Sequence, residues 1–327
     1  MLEPAAAGHR LIRALRTQLI RPQLASLRAS PRADFLGVAA GVFGAVLLLG
    51  GLSLWFLQWH FYPLDTLTYY LAGTRLNIGH SLYDLGPGDP WLADRPEFPL
   101  FSPPFVAVLW RPLAAVPGQV GMLIWFVAMA FAAVYAVSIS LVGTRGWAGL
   151  LVAALMPSLV LLIGVGNVDA IVLAGTIASW LLIQSRRDRT AGALVGVLAS
   201  LKLTPAILLV WLVLSRRWNA TVAALVTGAI CALVTLIGAS PDIFFRYLQV
   251  IRDASTVGHW WAFGALVAGI VLMWTFRARS HISFAIAVLL MPVASPVAAI
   301  HSWSVLLGTL APWMKSPSQR DEVGTRQ

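Results

Sequence analysis

The chain has 327 residues, of which 59% are hydrophobic and only 11% charged, and its mean hydropathy is +0.80. A soluble domain carries roughly a quarter charged residues, so this composition excludes an ordinary soluble enzyme and points to an all-α polytopic integral membrane protein. The net charge of +10 does not mark a nucleic-acid partner, because the Lys and Arg residues lie in short loops between apolar blocks and form no stripe or known binding module.

Residues 1–35 read as a cytoplasmic basic tail. Six of the first 32 residues are Arg, and the compact apolar core and small-residue cleavage site of a signal peptide are lacking. Within the tail, "HRLIRALRTQLIRP" sets Leu11, Ile12, Leu15 and Leu19 on one helical face, away from Arg10, Arg13 and Arg16. Such a segment can lie on an anionic inner leaflet or remain a solvated tail.

Residues 36–314 read as a single transmembrane domain. A first span is predicted over 36–58, followed by a first outer loop over 59–118. In that loop "FVAVLWRPLAAVP" (105–117) is apolar, but it has 13 residues with Arg111 and Pro112 in the middle, so it reads as a helix on the outer membrane surface. Further spans are predicted over 119–141, 148–165, 168–184, 191–203, 205–215, 219–238, 260–276, 282–294 and 298–314. A second outer loop falls over 239–259 and a cytoplasmic tail over 315–327. About ten transmembrane helices result, with both termini cytoplasmic. The helices near 191–215 and 282–314 are short, so either the bilayer thins there or they shelter inside the bundle.

Charge counting tests the threading. The predicted cytoplasmic segments hold 17 of the 23 Lys and Arg residues, whereas eight of the 13 acidic residues fall outside. This asymmetry is the positive-inside pattern. Counting 105–117 as a span would invert it by moving "SRRDR" and "SRRW" to the outside.

The spans are nearly empty of ionisable groups, which argues against an ion-coupled transporter. Unusual polar residues gather instead at predicted outer helix ends: Asp65, Arg75, His80, Asp84, Asp169, Lys202, His259 and His301. Asp65 follows an apolar run in "WHFYPLDTLTYYLAG", where partial desolvation raises a carboxyl pKa and suits it to accept a proton. The same spacing also fits an N-cap, and the two roles coexist. Lys202, at the turn in "SLKLTP", can hold a phosphate as a point charge or snorkel to lipid headgroups. His301 in "SPVAAIHSW" can hydrogen-bond a sugar or phosphate or be structural. Asn167 and Asp169 in "GNVDA" suit helix capping. Tyr69 and Tyr70 can anchor at the interface or stack on a sugar. Cys231 is the one cysteine, mid-helix, and forms no intrachain disulfide. No Gly-rich phosphate loop, HExxH, Cys pair or GxSxG occurs.

Five segments in order resemble glycosyltransferase family 87, the bacterial polyprenol-phosphate-mannose-dependent mannosyltransferases. They are "DTLTYYLAGTRLNIGHSLYDL", "FSPPFVAVLWRPLAAVP", "GNVDAIVLAG", "AGALVGVLASLKLTPAILLVWLVLSRRW" and "SPVAAIHSW". Three departures stand out: Ser102 replaces the family's Tyr before the Pro pair, Asn167 and Asp169 replace Gln and Asn, and no aromatic precedes the late His. The resemblance implies a GT-C type fold with its active site at the outer surface of the bacterial cytoplasmic membrane. It implies transfer of a sugar, expected to be mannose, from a polyprenyl-phosphate donor to a glycolipid or glycan acceptor, with inversion and no cofactor. Asp65 matches the expected base. Lys202, Arg75 and His301 are then candidates to hold the donor phosphate, and Tyr69, Tyr70, Tyr83, Asp84, Asn167 and Asp169 to hold acceptor or sugar. An arabinosyl or other pentosyl donor, a lipid-linked-sugar flippase and a scaffold subunit are the competing readings, and no metal or nucleic acid is expected.

Overall fold

The structure, a computed structural model, describes residues 63–83, 100–143, 147–255, 260–295 and 299–314. The first predicted span, both tails, Asp84 and His259 lie outside the described residues. Every regular element among the described residues is helical. They are α1 (Leu64–Asn77), α2 (Phe105–Trp110), α3 (Gly118–Gly143), α4 (Trp147–Ala154), α5 (Met156–Val165), α6 (Asp169–Gln184) and α7 (Asp188–Leu201). Then follow α8 (Ala206–Leu214), α9 (Trp218–Gly238), α10 (Ile243–Ser255), α11 (Trp260–Thr275), α12 (Ser280–Val293) and a 3₁₀ helix, Ile300–Trp313.

Most predicted spans have a matching helix, with three differences. The span expected over 148–165 is two helices, because Pro157 opens α5 and supplies no amide to continue the turn before it. The last span is a 3₁₀ helix. The second outer loop contains α10. Segment 105–117 is the short α2 followed by a 3₁₀ turn, Leu113–Ala115: Arg111 and Pro112 keep right-handed helical angles, but Pro112 has no amide to donate, so the α-helical ladder ends there. Arg111 ties this segment down: its Nε donates to Asn77 Oδ1 at 3.0 Å and its Nη1 to the Gly238 carbonyl at 3.0 Å. Two described helices, Gly118–Leu141 and Trp218–Gly238, are long and apolar enough to cross a membrane, and four more are apolar but shorter.

Packing around α6 fixes the centre of the bundle. Its residues from Asp169 to Ile183 are largely buried, against α3, α7 and the 3₁₀ helix, which is what an all-round apolar helix requires. Helices α7 and α9 touch backbone to backbone: a Cβ on Gly192 would meet the Ala220 carbonyl oxygen at 1.9 Å, and one on Gly196 the Ala224 oxygen at 2.5 Å. This is a small-xxx-small seam. Aromatic clusters lock the bundle at two places, Trp180–Trp211–Phe284 and Tyr69–Trp110–Trp125, with ring centroids 4.7–6.3 Å apart.

The 3₁₀ helix is unusual in length. Its exposure repeats every three residues: Ile300, Trp303, Leu306, Thr309 and Pro312 form the more exposed row, while Ser304, Leu307 and Leu310, with Ser302, Val305, Gly308 and Ala311, are buried. Ser304 and Thr309 hydroxyls donate to the carbonyls three residues back, at 2.7 and 2.6 Å, which occupies acceptors at the 3₁₀ spacing.

Candidate active site

The ends of α1, α5, α6, α7 and the 3₁₀ helix meet at one pole of the bundle. Pro63 occupies the N-cap of α1 and makes no side-chain cap bond, so Asp65 lies within the first turn and is not the cap. Its carboxylate still benefits from the helix dipole but is free to reach sideways. Thr66 Oγ1 donates to the Val165 carbonyl at 3.3 Å, which fastens α1 to the end of α5.

There α5 stops in a Schellman turn. Gly166 has φ +67°, its amide bonds the Ile163 carbonyl, and the Asn167 amide bonds Leu162. A Cβ at Gly166 would sit 1.9 Å from Thr66 Oγ1, and Trp125 Nε1 donates to its carbonyl at 2.8 Å. The reversal delivers Asn167 and Asp169 to the pole. Asn167 does two jobs. Its Oδ1 accepts the Asp169 amide at 2.9 Å across the N-cap residue Val168, so that neither Asn167 nor Asp169 is itself the N-cap, and its Nδ2 donates to Asp65 Oδ2 at 2.9 Å.

Lys202 leaves the end of α7 in an extended conformation, φ −148° and ψ 140°, so its side chain turns away from the helix axis. Its Nζ donates to Asp169 Oδ2 at 2.6 Å and to Ser302 Oγ at 3.1 Å, while Ser302 Oγ donates to the same Asp169 oxygen at 2.9 Å. His301 Nε2 lies 3.6 Å from Asp169 Oδ2 and 4.0 Å from Asp65 Oδ2. Ser158 anchors that histidine's backbone, its hydroxyl lying 2.8 and 3.1 Å from the Ile300 and His301 carbonyl oxygens.

These groups border a cleft of about 130 Å³. Asp65, Tyr69, Asn167, Lys202, His301 and Ser302 line it, together with Ser102 and Leu100 from the first loop, Leu203 and Thr204 from the α7–α8 turn, and Tyr247 and Ile251 from α10. Burial pushes the Asp65 carboxyl above the ordinary carboxylate range. His301, the Asn167 hydrogen bond and Lys202 pull it partly back, and Asp169 pushes it further up. The arrangement offers a proton acceptor, an ammonium and an imidazole on one small cavity, with an apolar wall beside them.

Several expected residues fall elsewhere. Arg75 is 1% exposed and its guanidinium bonds the Ser81 carbonyl, with Nε at 2.9 Å, so it does not reach the cleft. Tyr70 packs on Gly118, and Tyr83 hydroxyl donates to the Leu100 carbonyl at 3.4 Å; neither lines the cavity. Asp169 is 1% exposed and lies behind Lys202, not on the wall. Conversely, Ser302, Ser102, Tyr247 and Thr68 line the cleft without having been singled out as site residues. Ser302 was the most accessible of these, being next to His301 in "IHSW". Tyr247 lies on α10, whose helical character the loop reading passed over. Tyr69 and Ser102 hydroxyls are 3.2 Å apart, so the small residue at 102 leaves Tyr69 its partner. Among the described residues no cluster of His, Cys, Asp or Glu is placed to hold a metal ion.

An apolar helical bundle with a carboxylate, an ammonium and an imidazole converging at one pole defines a membrane protein with a polar cleft at its helix ends. The chain belongs to glycosyltransferase family 87, whose family model matches residues 101–315. Asn167, Asp169, Lys202 and His301 fall inside that match, and Asp65 and Tyr69 precede it. The chain is also similar to the polyprenol-phosphate-mannose-dependent alpha-(1-2)-phosphatidylinositol pentamannoside mannosyltransferase of Mycobacterium tuberculosis (strain CDC 1551 / Oshkosh). The two are 30% identical over 205 residues, which is 59% of this chain and 46% of that protein. The chain thus aligns with about half the length of that relative. No solved structure matches it.

Proposed function

We propose that this protein is a membrane glycosyltransferase that moves a sugar, mannose by our reading, from a polyprenyl-phosphate donor to a glycolipid or glycan hydroxyl, with inversion. The observation that carries the reading is the convergence of Asp65, Lys202 and His301, from segments more than 90 residues apart, on one cleft. Asp65 takes the proton of the acceptor hydroxyl as that oxygen bonds to the anomeric carbon. The bond from that carbon to the phosphate oxygen breaks, and its electron pair leaves with polyprenyl phosphate on the opposite face. A β-linked mannosyl phosphate therefore yields an α-mannoside. Lys202 and His301 face the growing charge on the phosphate and stabilise it most in the transition state. The leaving group is already a phosphate ester, so this chemistry demands no metal. Leu100, Leu203 and Ile251 supply apolar wall suited to the first isoprene units.

We place the cleft on the outer side of the cytoplasmic membrane, with both termini inside. Charge supports this: Arg186 and Arg187 follow the far end of α6, about 24 Å from Asp169, and Arg216, Arg217, Arg277 and Arg279 lie at the corresponding ends of their helices. The test of the chemistry is Asp65→Asn. With purified protein and polyprenyl phosphomannose, transfer should fall by about 10²–10⁴-fold while the protein stays folded. Full activity in the folded variant would remove Asp65 as base.

A further inference from the structure

We infer that Asp169 is a positioning residue: it holds the Lys202 ammonium at the phosphate end of the cleft and keeps it off Asp65, without itself touching substrate. The inference rests on the function proposed above and adds a role for a residue outside the cleft wall.

Burial separates Asp169 from the substrate. Its side chain is 1% exposed and absent from the cavity lining, whereas Lys202, 18% exposed, and Ser302 both line it. One carboxylate oxygen, Oδ2, accepts from Lys202 Nζ at 2.6 Å and Ser302 Oγ at 2.9 Å, and Lys202 also donates to Ser302. The three groups close a ring that fixes the ammonium from two directions. A lysine needs such help: its four-carbon stem is flexible, and ordering it on binding costs conformational entropy. A Lys already ordered by protein partners spares the donor that cost.

The competing partner is Asp65. The two carboxylates share His301, which is 3.6 Å from Asp169 and 4.0 Å from Asp65, and the charge of Lys202, bonded to Asp169, also acts on Asp65. An ammonium bonded to Asp65 would block its oxygen and weaken it as a base. Asp169 prevents this because a buried carboxylate has the greater need of a countercharge. The titratable groups around Asp65 are Tyr69 on its own helix, Asp169 and Lys202 from the α6 and α7 ends, His301 from the 3₁₀ helix, and Tyr247 from α10 on the same cleft. Removing the Asp169 charge and releasing Lys202 both favour ionised Asp65.

The experiment uses the full-length protein in nanodiscs, with sugar-free polyprenyl monophosphate as binding probe and the pH profile of transfer as second readout. Asp169→Asn should weaken probe binding by about tenfold and move the acid limb of kcat/KM to lower pH. In a Lys202→Met background the same change should cost no further binding, because Asp169 acts through Lys202. Lys202→Met alone strands a buried carboxylate and should lower Tm. The double variant should recover Tm without recovering binding, so loss of fold and loss of positioning are told apart. Wild-type-like binding with an unmoved acid limb in Asp169→Asn would overturn the inference, as would an equal binding loss with and without Lys202. Failure of the wild-type protein itself to bind the probe is a different result, and it would overturn the donor assignment.

Discussion

The elevated pKa at Asp65 has two consequences, one for rate and one for stability. In its proposed role as base the residue works only when ionised, so kcat/KM should fall as pH drops through a value above the ordinary carboxylate pKa of about 4, which a pH–rate profile will locate. For stability the sign is reversed from that of a salt-bridged carboxylate. The folded pKa lies above the unfolded one, so the unfolded state binds fewer protons and stability on this group's account falls as pH rises through the window between them. Above that window the ionised, buried carboxylate is a cost. Asp65→Asn should therefore leave Tm equal to or above that of the wild type while transfer is lost, which thermal unfolding in detergent will check. Helix geometry accounts for what could be read nearby. Tyr69 is four residues from Asp65 and shares its face, Tyr70 is rotated a further 100°, and Arg75 lies about 15 Å along the helix, too far to join Asp65. Burial was not legible in that way: "GNVDA" marks a helix start, but nothing local tells that Asn167 grips Asp65 while Asp169 sinks behind Lys202.

Element boundaries were legible wherever the sequence carries backbone punctuation. Arg186 and Arg216 take the left-handed position, φ 57° and 55°, just after α6 and α8, where a helix stop usually recruits Gly. Both lie in an "SRR" run, and the reading of those runs as loops holds in the structure. Winding was not legible, since an apolar stretch inside a bundle has no polar face to report whether it repeats at 3.6 or 3.0 residues. The α7–α9 seam makes the firmest prediction at this scale. The Cβ of Gly192→Ala would sit 1.9 Å from the Ala220 carbonyl oxygen, so the helices must part. The cost should be about 1–3 kcal/mol, seen as a lowered Tm. Donor binding should weaken with it, because Lys202 terminates the same helix.

The unequal helix lengths set the depth of the cleft. From the common level of Arg216–Trp218, α9 rises about 32 Å while α8 rises about 14 Å, so the Lys202–Pro205 turn that begins α8 is recessed below the Gly238 end of α9. The short segments near 191–215, awkward as independent spans, are thereby accommodated as the floor of a depression. A phosphate on a membrane lipid can reach such a floor from the side. The charge pattern supports the orientation, and sidedness can be read directly. In a Cys231→Ser background, Leu203→Cys should react with an impermeant thiol reagent from outside intact cells, and Arg189→Cys only after permeabilisation. The reverse pattern would invert the threading.

The C-terminal 3₁₀ helix also makes the site sensitive to the pitch of a backbone. Its 14 residues reach about 28 Å, whereas an α-helix of the same sequence would reach about 21 Å. His301 and Ser302 ride on its upper tip. Each residue that rewound would retract that tip by about 0.5 Å, and complete rewinding by about 7 Å. That stroke exceeds the 3.6 Å now separating His301 from Asp169. The segment is a ruler whose graduation is its hydrogen-bond register, and two cleft residues stay in place only while it is read at full extension.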